Sequence, residues 1–313
     1  MAPAPLLRIG TRGSPLALVQ ATAVRAALVA AGADPDGLEI VPIRTSGDRV
    51  RDRALADIGG KGLFTKELEE ALLDRRIDLA VHSMKDVPTW LPPGLAIPAI
   101  LPREDPRDVL MTSTRLGAVR GIAALPPGAT VGSAALRRQA QLLHLRPDLK
   151  IVLLRGNVGT RLAKLEAGEI DATLLALAGL RRLDIAVADD TILDPDVLLP
   201  AVAQGAIGIE IRADDAATHE LLTRIDDRAT HITVTAERAM LEILDGSCRT
   251  PIGGLARLDG ARLTLDGLVA MPDGSALHRH RDDGSADDPV ALGRAVGATL
   301  RAAAGPGFFT ALA

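Results

Sequence analysis

Leu6-Leu7-Arg8-Ile9-Gly10-Thr11-Arg12-Gly13-Ser14-Pro15 is the stretch from which the fold can be read. Leu6–Thr11 has the character of a short buried strand. Ser14-Pro15 then opens a helix. Serine suits the N-cap because its oxygen accepts an N–H of the first turn, and proline suits the first helical position because its ring presets φ. Apolar positions continue to Gly32, a natural stop. Leu38–Arg44 reads as a second strand, Thr65–Arg76 as a helix and Asp78–Ser83 as a third strand. Strand–helix–strand–helix–strand predicts a parallel sheet covered by helices. The stretch from Thr45 to Gly62 is charged and carries Gly47, Gly59, Gly60 and Gly62, so it reads as a mobile loop.

Further along, Pro88, Pro92, Pro93, Pro98, Pro102 and Pro106 mark a crossing between lobes. A second α/β pattern follows. Strands are expected near Val109–Ser113, Thr130–Gly132, Lys150–Leu154 and Ala172–Leu177, with helices over Ala135–Leu145 and Thr160–Ala167. Ala206–Arg212 is strand-like and returns to the first lobe. The pattern changes from about Ala216: a helix near Val234–Leu244, strand pairs turning at Asp259-Gly260 and Pro272-Asp273-Gly274, and a last helix near Pro289–Ala303. The expected fold is therefore α/β. Lobe 1 spans 1–103 plus 200–218, lobe 2 spans 104–199, and a small α+β third domain spans 219–313. Two such lobes would form a cleft.

The 313 residues are 47% hydrophobic and 24% charged, which is ordinary for a globular soluble protein. Aromatics are only 1%, and the net charge is −4, so neither base stacking nor bulk attraction supports nucleic-acid binding. The N-terminus lacks the basic start and apolar stretch of a signal peptide, and no run of about 18 apolar residues exists to span a membrane. A cytoplasmic location is expected. Cys248 is the single cysteine, which rules out an intrachain disulfide and a multi-cysteine zinc site. It lies in Gly246-Ser247-Cys248-Arg249-Thr250-Pro251, a loop setting that suits a covalent attachment better than core packing.

Arginines recur at predicted element ends. Arg12 closes the first strand, Arg137-Arg138 begin a helix, Arg155 and Arg161 flank Gly156-Asn157-Val158-Gly159-Thr160, and Arg181-Arg182 follow Ala178-Gly179-Leu180. Ligands of open α/β sheets bind beyond the carboxyl ends of strands. Guanidinium forks match carboxylates there, beside helix N-termini that favour anions. The pattern predicts a cleft for a ligand with several carboxylates or phosphates. Asp86, in His82-Ser83-Met84-Lys85-Asp86-Val87-Pro88, would be one of few anions in it and could stabilise a developing positive charge. His82 reads as structural. The histidines show no metal-site spacing. Gly59-Gly60-Lys61-Gly62 lacks the P-loop order, and no dinucleotide fingerprint or serine-hydrolase elbow occurs.

These strings, with Gly59-Gly-Lys61-Gly-Leu-Phe-Thr-Lys-Glu-Leu-Glu69, Leu154-Arg155-Gly-Asn-Val-Gly-Thr-Arg161-Leu and Leu199-Pro-Ala-Val-Ala-Gln204-Gly-Ala, resemble the hydroxymethylbilane synthase (porphobilinogen deaminase) family over nearly the whole chain. The resemblance implies two lobes like type II periplasmic binding proteins and a third domain carrying the cysteine. It implies a transferase of tetrapyrrole synthesis that condenses four porphobilinogen molecules into hydroxymethylbilane with loss of ammonia. The primer is a dipyrromethane cofactor held by a thioether, here to Cys248. By the same resemblance Asp86 is catalytic, and Ser83, Lys85, Ser133, Arg137, Arg138 and Arg155 hold the cofactor. Arg12, Ser14, Arg161, Arg182 and Gln204 serve the substrate, Lys61 belongs to a loop over the cleft, and the enzyme is a monomer without metal. Porphobilinogen carries an acetate and a propionate, which accounts for many arginines in an acidic protein.

Two departures stand out. Gly132-Ser133-Ala134-Ala135 replaces the family's Gly-Thr-Ser-Ser, and Ser247 precedes Cys248 where a glycine is usual. A non-catalytic binding protein for a polycarboxylate anion is the alternative. The missing signal sequence and the Cys248 loop oppose it.

Overall fold

The computed structural model describes residues 7–49, 62–117, 119–244 and 250–310. They form two compact units. The first comprises 7–49, 62–104 and 205–231, and the second comprises 105–204 and 232–310.

In the first unit β1 (Leu7–Arg12) pairs in parallel with β2 (Leu38–Ile43) on one side and β3 (Leu79–Ser83) on the other. α1 (Pro15–Ala30) starts as the sequence predicts: the Ser14 side chain accepts the Ala17 N–H, and Gly32 beyond its end takes a φ of 100°. After the short α2 (Ser46–Arg49) and α3 (Lys66–Leu73), the sheet is completed by β4 (Leu95–Ile100) and β9 (Ile207–Arg212), in the order β2-β1-β3-β9-β4. The parallel pairing expected from sequence holds for β1, β2 and β3. β9 runs antiparallel between β3 and β4. Its six residues are all buried, as a central strand requires. β4 lies at the edge, where the register slips between Ala96 and Ala99. That irregularity accommodates Pro98, which has no N–H to give a ladder.

Helices cover both faces. Ala21, Val24 and Leu28 of α1 pack on Ile9, Leu79, Ile207 and Ile209. Leu68, Ala71 and Leu72 of α3 pack on Ile77 and Ala80. α3 also buries Glu69. Burial, chiefly, pushes the Glu69 carboxyl above its ordinary range, with the nearby Thr65 hydroxyl and His82 opposing and the Glu210 charge adding to it. A carboxyl raised in the folded state lends stability below its unfolded pKa and loses it as pH rises through the folded one. Glu69→Gln should therefore raise the melting temperature at pH 8, with the gain shrinking toward pH 4. A gain independent of pH would contradict this reading.

The second unit holds two sheets. β5 (Asp108–Thr112), β6 (Thr130–Ser133), β7 (Lys150–Leu153) and β8 (Ala172–Ala176) are ordered β5-β8-β6-β7, with β5 antiparallel to β8 and the others parallel. α4 (Leu136–Leu145), α5 (Val158–Glu166) and α6 (Leu177–Arg182) follow β6, β7 and β8. After α7 (Ala216–Thr223) of the first unit comes α8 (Arg228–Ile243), which begins earlier than its apolar pattern suggests. The strand pairs share a middle strand: β10 (Ile252–Asp259), β11 (Arg262–Ala270) and β12 (Leu277–Ser285) form one antiparallel sheet, with turns at the expected sites. α9 (Pro289–Ala304) packs Leu292, Val296 and Leu300 into its core, and α10 (Pro306–Thr310) ends the described chain. No helix among the described residues is long and apolar enough to cross a membrane.

Candidate active site

In the first unit the parallel pairing of β1 and β3 brings their carboxyl ends to one edge. Arg12 is the last residue of β1, and Met84–Asp86 form a tight 3-10 turn directly after β3. The turn is pinned from below. Met84 is buried and its N–H donates to the Ala206 carbonyl at 3.0 Å. With the Met84 side chain inward, Lys85 is exposed and Asp86 half-buried. Arg12 Nη1 lies 3.8 Å from Asp86 Oδ2, and its guanidinium stacks on the Phe64 ring at 4.1 Å from the centroid. Ser83 Oγ accepts from Gln20 Nε2 at 2.9 Å, so α1 fixes that hydroxyl. Ser14 caps α1. His82 is buried with Nε2 2.8 Å from Glu210 Oε2, consistent with its structural reading.

The second unit builds its cluster the same way. The ends of parallel β6, β7 and β8 share an edge with the start of antiparallel β5, since Asp108 pairs with Ala176. Arg137 and Arg138 occupy the first turn of α4 and are buried. Arg137 donates from Nη1 to the Leu199 carbonyl at 2.6 Å and from Nη2 to Asp108 Oδ2 at 2.8 Å. Arg138 donates from Nη2 to Asp108 Oδ1 at 2.7 Å. Gln204, which the sequence reading assigns to substrate, is 1% exposed, and its Nε2 donates to Asp108 Oδ1 at 2.9 Å and to the Pro106 carbonyl at 2.7 Å. Burial alone would raise the Asp108 pKa. The charges of Arg137 and Arg138, with hydrogen bonds from Arg138 and Gln204, outweigh it and hold the carboxyl well below its ordinary range.

Ser133, at the end of β6, exchanges hydrogen bonds with the Ala135 backbone. Ala135 stands at the N-cap of α4, where it supplies no side-chain acceptor. Arg155 is half-buried just past β7. Arg161 is half-buried too, with Nε donating to the Gly156 carbonyl at 2.9 Å, and Arg182 is half-buried at the end of α6. Gly156 takes a φ of 114°, which favours glycine. Cys248 and Lys61 lie outside the described residues; the segment with Cys248 joins α8 to β10. Among the described residues no three His, Cys, Asp or Glu are grouped as a metal would need.

Asp108 is the residue that sequence reasoning missed. Its one signal is position: an acidic residue heading an apolar strand opposite a run of arginines. Arg138 Nε is buried without a hydrogen-bond partner, although a buried charged donor left unpaired is costly. An orphaned guanidinium N–H beside a second arginine fits a ligand that brings a carboxylate.

A family model described as the porphobilinogen deaminase, dipyrromethane cofactor-binding domain matches residues 7–220, and one described as the porphobilinogen deaminase C-terminal domain matches 231–302. The chain belongs to the porphobilinogen deaminase family. It is 54% identical to a porphobilinogen deaminase of Nitrobacter winogradskyi and 53% identical to that of Nitrobacter hamburgensis, each alignment covering 98% of this chain and 96% of the relative. Among solved structures it is similar to the VFT2 domain of Bordetella pertussis BvgS, at 17% identity and TM-score 0.43, covering 72% of this chain and 88% of that one. It is also similar to a periplasmic binding protein of Salmonella typhimurium with high arginine specificity, at 17% identity and TM-score 0.40, covering 73% and 94%. The family's cofactor-binding domain holds both clusters, from Arg12 to Gln204. The acidic arms of a dipyrromethane match the orphaned Arg138 donor and its neighbours.

Proposed function

We propose that the two clusters divide the family's reaction between charge stabilisation and carboxylate binding. The chain is a hydroxymethylbilane synthase, a transferase that joins porphobilinogen units head to tail with release of ammonia. When bound, a dipyrromethane would supply a primer with a nucleophilic terminal pyrrole carbon. Each step forms one carbon–carbon bond and breaks two bonds, the carbon–nitrogen bond of an aminomethyl group and the carbon–hydrogen bond of the pyrrole carbon that is joined, and the proton lost from that carbon balances the one the amine takes to leave as ammonia.

Loss of ammonia leaves positive charge on the pyrrole. Asp86, fixed by the buried Met84 and held 3.8 Å from Arg12, faces that charge as a preorganised carboxylate. Arg137, Arg138, Arg155, Lys85, Ser83 and Ser133 hold the arms of the cofactor. Arg12, Ser14, Arg161, Arg182 and Gln204 serve the incoming unit and the growing chain, and Lys61, outside the described residues, is assigned with them. Cys248 anchors the primer, so that each extension occurs between positioned partners. The three-domain division, the cytoplasmic location and the monomeric state belong to the same proposal.

The observation that carries the reading is the buried Arg137–Arg138 pair with an unpaired Nε in a chain matched by the cofactor-binding model. Purified protein given porphobilinogen should release four ammonia per hydroxymethylbilane. Porphobilinogen binding without ammonia release would leave only a binding protein.

A further inference from the structure

Two guanidiniums side by side in a buried setting repel each other, and each would turn toward water if it could. In this chain one carboxylate restrains both. Asp108 is 0% exposed and gives Oδ2 to Arg137 Nη2 and Oδ1 to Arg138 Nη2. No other carboxylate among the described residues forms an ion pair with either arginine. Asp108 itself is held by its place at the head of β5, paired with Ala176 of β8, and by Gln204 Nε2 at 2.9 Å. On the far side, Arg137 is fixed to the Leu199 carbonyl, which also accepts from Gln141 Nε2 at 3.0 Å.

The geometry points to Asp108 as the positioning residue that orients Arg137 and Arg138 for loading of the dipyrromethane. Its two oxygens occupy one Nη of each arginine and leave Arg138 Nε buried with no hydrogen-bond partner. The trio carries a net charge of about +1, two cations against one anion, and so accepts one further carboxylate. Gln204 belongs to the same device, because its amide steadies the Oδ1 that Arg138 shares. Removing the Asp108 charge strengthens the bare attraction for anions, but it also releases Arg138 and leaves Arg137 held only through the Leu199 carbonyl, so the two cations are no longer kept in register. Loading depends on their placement, since carboxylate recognition by guanidinium is bidentate and directional.

This inference rests on the reading of Arg137 and Arg138 as cofactor-binding residues, and the experiment separates the two. Intact mass under denaturing conditions gives the fraction of purified chains that carry the added dipyrromethane mass, and the rate at which unloaded chains gain it when given porphobilinogen. Circular dichroism and melting give the folded fraction of each variant. Asp108→Asn should be loaded at least tenfold less than wild type at equal folded fraction, with Asp108→Glu intermediate. Asp266→Asn removes a different buried carboxylate, one that holds Arg279 and Arg281, and should load as wild type. Folded Asp108→Asn that loads normally overturns the proposal, as does Asp266→Asn failing to the same extent. If Asp108→Asn does not accumulate folded, Asp108→Glu decides, and wild-type loading there overturns it. Arg138→Gln tests the underlying reading. Normal loading of that variant removes it, whereas failed loading beside normal Asp108→Asn removes the present inference alone.

Discussion

Asp86→Ala yields a folded protein whose kcat is lower by about two to three orders of magnitude, the usual cost of removing one preorganised electrostatic group. Asp86 is half-buried, and its ion pair with Arg12 is long and partly exposed, with side chains 23% and 31% accessible. Such a pair contributes only roughly 0–1 kcal/mol to stability. The fold around it rests on other contacts: the buried Met84, its N–H on Ala206, and the His82–Glu210 pair beneath the strand. Activity and stability therefore separate at this position. The KM for porphobilinogen changes less than kcat, because the carboxylate faces charge that appears only as ammonia leaves. Single-turnover measurement of ammonia release, beside a melting curve, checks both parts. Near-normal turnover, or collapse of the fold, counts against the assigned role.

Cys248→Ser produces a folded chain with no sustained turnover. A serine hydroxyl is a far weaker nucleophile than a thiolate at neutral pH. Without a tether, the primer must be captured from solution at every step. Effective molarities for well-placed partners reach roughly 10⁵ M or more, and an untethered primer forfeits that advantage. The arginine clusters still attract anions in this variant, so porphobilinogen binding persists while hydroxymethylbilane formation stops. Titration by calorimetry separates the two; loss of binding together with turnover would mean that the cysteine supports the pocket itself.

Much of this was legible in the sequence for local reasons. Ser14-Pro15 and Gly32 mark the ends of α1, and Asp259-Gly260 marks the β10–β11 turn, because those residues act on the backbone within a few positions. The arginines at strand ends were visible as a pattern, and parallel pairing of β6, β7 and β8 brings Arg137, Arg138, Arg155 and the start of α6 toward one edge. What escaped depends on pairing between distant segments. β9 enters antiparallel between β3 and β4, more than 100 residues after β4. Nothing near Ile207–Arg212 encodes that direction. Asp108 reaches the arginines because β5 runs antiparallel to β8, and Gln204 turns inward where Asp108 and the Pro106 carbonyl accept from it. β4 was hidden by Pro98, which argues against a strand unless the strand lies at an edge.

A primer fixed by sulfur and steered by buried guanidiniums is a covalent claim, and mass reads it directly. Wild-type protein, denatured and weighed intact, should exceed its sequence mass by one dipyrromethane, and Cys248→Ser should show the sequence mass alone. A fully active wild type at its bare sequence mass would contradict the account.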